Sequence, residues 1–226
     1  MKTKHTQTLH VLSLIGSVAL TFASWRGLVP ISLTEVFGFI SGGLCVWLTV
    51  KQNIWNWPIG IVNNIFFIIL FWQSHLYADM ALQVVYIVLS ILGWYWWVRG
   101  GVGNTSLTVS RIGIRTVLVL TLIGVVTMYG MTLYLRTVQD AAPFLDALTT
   151  VMSLIAQYLL TKKKIENWYL WMTADVIYVW LYCFKHLYLT GFLYAIFFAM
   201  CIAGVIAWRR SMKLTNKEAV LTAHHV

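Results

Sequence analysis

The chain has 226 residues, 60% of them hydrophobic and only 10% charged, with a net charge of +9. A soluble domain keeps roughly a quarter of its residues charged, so this composition excludes a solvated surface of ordinary extent. The positive charge does not point to nucleic acid, because the basic residues fall between long apolar blocks rather than on one face or tail.

Taken in chain order, Lys2 and Lys4 precede an apolar run over 11–23, as in a signal peptide. No small-x-small cleavage site follows, and Arg26 and Pro30 end the run. The run is short for a span, so residues 1–32 are expected to lie at the membrane interface or to cross at a tilt. Seven further blocks follow, at roughly 33–50, 57–74, 79–98, 113–135, 143–161, 167–184 and 188–208. A bilayer core of about 30 Å takes about 20 apolar residues per helix. Lipid offers the backbone no hydrogen bonds, so each block is expected to be a helix. The short gaps imply antiparallel neighbours.

The basic residues divide unevenly between the two sides. One side receives Lys51, Arg99, Arg111, Arg115, Lys162, Lys163, Lys164, Arg209, Arg210, Lys213 and Lys217. The other receives Arg26, Arg136 and Lys185. The rich side is expected to be cytoplasmic, which puts the C-terminus inside and, if residues 1–32 span, Lys2 and Lys4 as well.

The two halves align without a gap at an offset of 111 residues. Asn56 and Trp57 fall on Asn167 and Trp168; His75, Leu76 and Tyr77 on His186, Leu187 and Tyr188; Gly93, Trp97 and Arg99 on Gly204, Trp208 and Arg210. Glu35 falls on Asp146 and Asn64 on Asp175. Aliphatic matches arise easily in membrane sequences, but matched Asn, Trp, His and Gly at one offset do not. The expected fold is an all-α polytopic membrane protein of two parallel three-helix repeats, 33–100 and 141–210, joined by a linking transmembrane helix within 101–140. Residues 211–226 are expected to form a cytoplasmic tail. Parallel repeats of this kind occur in sugar transporters of the SWEET type. The alternative is an old duplication kept for packing alone.

Polar residues recur inside both repeats, where they are costly. Asn56, Asn63, Asn64 and Phe67 share one broad helical face, and Asn167, Trp168, Asp175, Tyr178 and Tyr182 repeat the stripe. A carboxylate half-way through an apolar helix, as at Asp175, should face a cavity or a partner. The structural alternative is an interhelical hydrogen bond, which is weak on average in membranes. Gln83 stands about one turn before Tyr86, and Asp146, Thr149, Ser153 and Gln157 form a stripe facing the bundle axis. Trp47, Phe66, Phe67, Tyr86, Trp168 and Tyr178 share these faces. Aromatic rings beside amides and a carboxylate suit a flat, partly polar, positively charged ring through stacking and cation–π attraction. The candidate binding residues are therefore Trp47, Asn56, Trp57, Asn63, Asn64, Phe66, Phe67, Gln83, Tyr86, Thr149, Gln157, Trp168, Asp175 and Tyr178.

Pro58 and Gly60 open a span and could serve a hinge, although proline is also tolerated in a first helical turn. Cys45, Cys183 and Cys201 read as core residues without disulfide or metal spacing. His75 and His186 read as interfacial. No Gly-rich phosphate loop, His-Glu-x-x-His or Gly-x-Ser-x-Gly is found, so neither an enzyme nor a cofactor is expected.

The run Trp55-Asn56-Trp57-Pro58-Ile59-Gly60, followed by Asn63-Asn64 and Leu76-Tyr77-Ala78-Asp79, resembles the PnuC family of nicotinamide riboside transporters. So does Glu166-Asn167-Trp168-Tyr169-Leu170-Trp171, followed by Asp175, Tyr178 and Leu187-Tyr188-Leu189-Thr190. The likeness covers about 33–210. It implies a fold like full-length SWEET transporters, with helices arranged as three, one and three. It also implies facilitated diffusion of nicotinamide riboside in a bacterial inner membrane, with trapping by a cytoplasmic ribosylnicotinamide kinase. Related family members take thiamine or riboflavin, and an ion-coupled carrier with Asp175 as the coupling group is the competing expectation. On the leading reading, Asn63, Asn64 and Gln83 bind amide and ribose groups, Phe66, Phe67 and Tyr178 flank the ring, and Asp175 offsets its charge. The N-terminal segment is a candidate contact between copies in a homo-oligomer.

Overall fold

The computed structural model describes residues 21–22, 24–28, 33–73, 75, 77–139, 142–184, 186 and 188–223. Lys2, Lys4, most of the apolar run over 11–23, Pro30, Leu76, Lys185 and Leu187 lie outside the described residues, as do the side chains of Glu35 and Ala78. The chain divides into two compact units, Met1–Leu44 and Cys45–Val226. In the first, Ser41 Oγ donates back to the Phe37 carbonyl at 2.6 Å, the local bond by which serine is tolerated in a helix.

Among the described residues seven long helices follow one another: α1 Leu33–Val50, α2 Asn56–Gln73, α3 Tyr77–Arg99, α4 Ile114–Thr137, α5 Pro143–Thr161, α6 Asn167–Phe184 and α7 Tyr188–Ala223. The all-helical architecture expected from the apolar blocks is therefore present, with boundaries within a few residues. One difference lies at the C-terminal end, where α7 runs past 208 to Ala223. Residues 209–223 hold Lys, Leu, Glu and Ala without Pro or Gly, so nothing in the sequence ends the helix.

Among the described residues four stretches are long and apolar enough to cross a membrane: Asp79–Arg99, Ile114–Thr137, Pro143–Thr161 and Tyr188–Thr215. A shorter apolar helix covers Val36–Val50. The helices α2 and α6, which carry the Asn residues and Asp175, are not among the four. On α4, Ile114, Leu118, Leu122, Val126 and Tyr129 are all exposed. Their spacing of three and four residues makes one apolar stripe turned away from the protein, as lipid contact requires. Its described buried residues are Gly124, which lies against Ile155 and Val151 of α5, and Thr132.

The short connections repeat at the 111-residue offset. Gln52 after α1 and Lys163 after α5 both adopt left-handed φ, 53° and 52°. Each turn closes alike, Asn53 N–H on the Leu48 carbonyl at 2.9 Å and Lys164 N–H on the Leu159 carbonyl at 2.8 Å. His75 and His186 are also left-handed, and each ring Nδ1 meets a tyrosine hydroxyl two residues on, Tyr77 at 3.1 Å and Tyr188 at 2.9 Å. Both histidines are exposed, as interfacial residues should be. The helices pack α2 on α3, α6 on α7, α4 on α5, α5 on α6 and α3 on α5.

At the end where most basic residues gather, the segment after α3 docks onto the turn after α5. Ser110 N–H donates to the Lys163 carbonyl and Ile165 N–H to the Ser110 carbonyl, at 3.2 and 3.1 Å. Glu166 Oε2 accepts from the Ile112 N–H at 3.1 Å. The buried Lys163 ammonium donates to the Leu107 carbonyl at 2.8 Å and stands 4.6 Å from the Trp97 ring centroid. Burial pushes its pKa down from 10.5 to about 8. The unfolded chain thus holds a proton that the folded one has lost between those values, so stability contributed by this group rises with pH across that window. Thermal unfolding in detergent should show a midpoint higher by about 2–4 °C at pH 10 than at pH 8. Lys163→Gln, which keeps a donor for Leu107 but cannot titrate, should lose that increment. Identical pH profiles for the two proteins would refute the assignment.

Candidate functional site

The polar side chains inside the bundle converge where α3, α5, α6 and α7 meet. Tyr86 of α3 shares a short hydrogen bond with Ser153 of α5 across 67 residues of sequence. Tyr178 of α6 is hydrogen-bonded to Thr149 of α5, and Asp146 is within electrostatic reach of it. One turn before Tyr178, the buried carboxylate of Asp175 accepts a weak bond from the Cys201 thiol of α7 at 3.5 Å. Asp175 is thus tied to neither Asn64 nor Gln157. Among the described residues, no Lys or Arg acts on it.

An aromatic wall adjoins the carboxylate. The ring of Tyr194 on α7 lies 4.8 Å from that of Tyr178 and 5.3 Å from that of Tyr182, the second pair nearly parallel at 14°. Tyr178 and Tyr182 are 6.3 Å apart, one helical turn along α6. Stacked phenols of this kind offer π-faces with hydroxyl groups at their rims. Together with the acid they make a surface able to hold a flat cation by stacking and charge.

The sequence-derived candidates separate into groups. Tyr86, Thr149, Asp175 and Tyr178 come together in the cluster. Gln83 lies on α3 one turn before Tyr86, and Gln157 on α5 one turn after Ser153; both are half-buried. Asn63, Asn64, Phe66 and Phe67 lie together on α2. There Phe66 and Phe67 meet at 5.5 Å, Phe67 stacks on Phe71 at 5.7 Å, and the Asn63 Oδ1 is buried without a partner. Asn56, Trp57 and Trp168 sit instead in a packed layer at the basic end. Asn56 Nδ2 donates to Thr49 Oγ1 at 3.1 Å, and Trp57 and Trp168 stand edge-on to Trp97 and Trp208. Trp47 lies near the same end, with the Lys51 ammonium 4.8 Å from its ring.

Sequence reasoning left Tyr194 out of the candidates and read Cys201 as core. The repeat held the signal for both: at the 111-residue offset Tyr194 falls on Gln83 and Cys201 on the buried Ser90. The same offset sets Tyr178 and Tyr182 on Phe67 and Phe71, so the second repeat carries the more polar lining.

A bundle of long apolar helices, exposed to lipid outside and holding tyrosines, amides and a carboxylate within, defines a multi-pass membrane protein with a polar interior. The chain belongs to the nicotinamide mononucleotide transporter family, whose model matches residues 32–210. It is similar to the nicotinamide riboside transporter PnuC of Escherichia coli strain K12, 31% identical over 216 residues, covering 84% of this chain and 90% of that one. It also resembles the riboflavin/roseoflavin transporter RibM of Streptomyces davaonensis, 23% identical over 77% of this chain and 84% of the other. The fold matches a crystal structure of the vitamin B3 transporter PnuC with a TM-score of 0.64 at 22% identity, over 89% of this chain and 92% of that one.

Proposed function

We propose that the protein carries nicotinamide riboside across the bacterial inner membrane by facilitated diffusion, with alternating access at a site between residues 33–100 and 141–210. The observation that carries this reading is the acid–tyrosine cluster of Asp175, Tyr178, Tyr182 and Tyr194 inside an otherwise apolar bundle. Nicotinamide riboside presents a cationic pyridinium, a carboxamide and a ribose. The pyridinium pairs with Asp175 and stacks on the tyrosines; the amide and ribose take donors and acceptors from Gln83, Gln157, Asn63 and Asn64. Trp47, Phe66, Phe67, Tyr86 and Thr149 line the remaining surface, and Asn56, Trp57 and Trp168 bound the path at the basic end. The helices form the arrangement three, one and three, with α4 as the link; the matched turns at Gln52 and Lys163 and at His75 and His186 support it. The basic end and C-terminus face the cytoplasm, where a ribosylnicotinamide kinase traps the solute.

Labelled nicotinamide riboside should enter proteoliposomes saturably with no ion gradient imposed. Absence of such uptake by folded protein would overturn the proposal. The riboflavin-carrying relative favours a second reading, an ion-coupled carrier of a related vitamin such as riboflavin or thiamine. Uptake of either vitamin that collapses on adding an uncoupler would establish it instead.

A further inference from the structure

Four tryptophans form an unbroken chain of ring contacts at the basic end. Trp57 meets Trp97 at 5.2 Å, Trp97 meets Trp208 at 5.9 Å, and Trp208 meets Trp168 at 5.4 Å. All four are buried. The outer two are held within their own repeats: the ring of Trp57 covers Gly93 of α3, and the ring of Trp168 covers Gly204 of α7. Their indole N–H groups are buried without a partner.

The inner two reach across. Trp97 Nε1 on α3 donates to the Leu160 carbonyl at the end of α5, 3.1 Å away. Trp208 Nε1 on α7 donates to the Thr49 carbonyl at the end of α1, 3.0 Å away. At the 111-residue offset Trp97 falls on Trp208 and Thr49 on Leu160, so the two repeats clasp each other reciprocally with equivalent donors and acceptors. The acceptors are last-turn carbonyls, which lack an intrahelical partner. Each also takes one turn N–H, from Lys163 and Gln52 respectively, both at 2.9 Å. The acid–tyrosine cluster lies directly above this layer. Asp175 stands seven residues beyond Trp168 on α6 and Cys201 seven before Trp208 on α7, about 10 Å along each axis.

We propose that Trp97 and Trp208 are the gate of the basic end: a reciprocal latch whose two bonds and shared ring contact open together to release solute on that side. A solute leaving the cluster along the bundle axis meets this layer next. The two bonds and the Trp97–Trp208 ring contact join the repeats, whereas Trp57 and Trp168 travel with their own helices. The proposal rests on transport as the function, but its test needs no substrate, so the two can fail separately.

Cys201, buried just above this layer beside Asp175, reports the opening. In a Cys45→Ala, Cys183→Ala background, the rate at which a maleimide modifies Cys201 measures how often the basic end opens. Removing one net bond of this kind shifts such an equilibrium by roughly two- to tenfold. Trp97→Phe and Trp208→Phe should therefore each speed labelling by that factor, to similar extents, and the double variant should exceed either. Trp94→Phe and Trp180→Phe, the same change at exposed rings of α3 and α6 outside this layer, should leave the rate unaltered. Unchanged labelling in a folded double variant, or equal acceleration in the two controls, would overturn the latch. Should the double variant not fold, hydrogen exchange at the indole N–H groups of the unaltered protein decides. Trp97 and Trp208 should exchange slowly and at one common rate, and unprotected or unequal exchange would refute the pairing.

Discussion

Asp175→Asn should weaken binding of nicotinamide riboside by about 30- to 100-fold, while the affinity for its uncharged dihydro form stays within about threefold. The substitution keeps the size and shape of the side chain and still offers an oxygen to the Cys201 thiol, so packing between α6 and α7 is preserved. What it removes is a charge in a site walled by Tyr178, Tyr182 and Tyr194, where little water screens it. With a thiol as its hydrogen-bonding neighbour, the carboxylate has most of its acceptor capacity to spare. A permanent cation beside it recovers attraction that a neutral ring cannot. Titrating the parent and the variant with both ligands, followed by tryptophan fluorescence, separates charge from shape. An equal loss for both would assign Asp175 to packing and leave the stacked tyrosines as the recognition element. Asp175→Ala is the weaker test, because it also opens a void beside Cys201.

The helices were legible because lipid forces one solution on each apolar block, and the blocks are separated by Arg, Lys, Asn and Gly. The repeat was legible from Trp57, Gly93 and Trp97 recurring as Trp168, Gly204 and Trp208. The candidate site was less so. Period alone places Asp175 and Tyr178 on one face of α6, but α7 shows no polar stripe, and its contributions to the cluster are Tyr194 and Cys201. Tyr is as common in interfacial belts as in binding sites, and Cys reads as a small apolar residue. Only knowing which face of α7 turns to α6 separates them from the rest. Trp57 and Trp168 are ambiguous in the opposite sense, because an aromatic residue beside an asparagine looks alike whether it covers a ligand or a glycine. In the fold the Trp57 indole lies over Gly93 and the Trp168 indole over Gly204.

Those two glycines give the largest expected effect on stability. A Cβ placed on Gly93 would stand only 2.3–2.7 Å from three ring atoms of Trp57, and one on Gly204 only 2.5–2.6 Å from three of Trp168. Neither ring can turn aside, since each is packed edge-on against a second buried tryptophan. Gly93→Ala and Gly204→Ala should therefore force α2 from α3 and α6 from α7, despite the gain in helix propensity from replacing glycine. Overpacking of this kind costs about 1–3 kcal/mol, which for a chain of this length lowers Tm by about 2–12 °C. The damage should be reciprocal with ring size: Trp57→Phe should restore part of the Tm lost in Gly93→Ala, a coupling that distant sites do not show. Gly130→Ala on α4, where an added Cβ meets open space, is the matched control and should leave Tm unchanged or slightly raised. If Gly93→Ala and Gly204→Ala melt with the parent, the close helix approach at the basic end is absent, and the tryptophan layer built on it goes too.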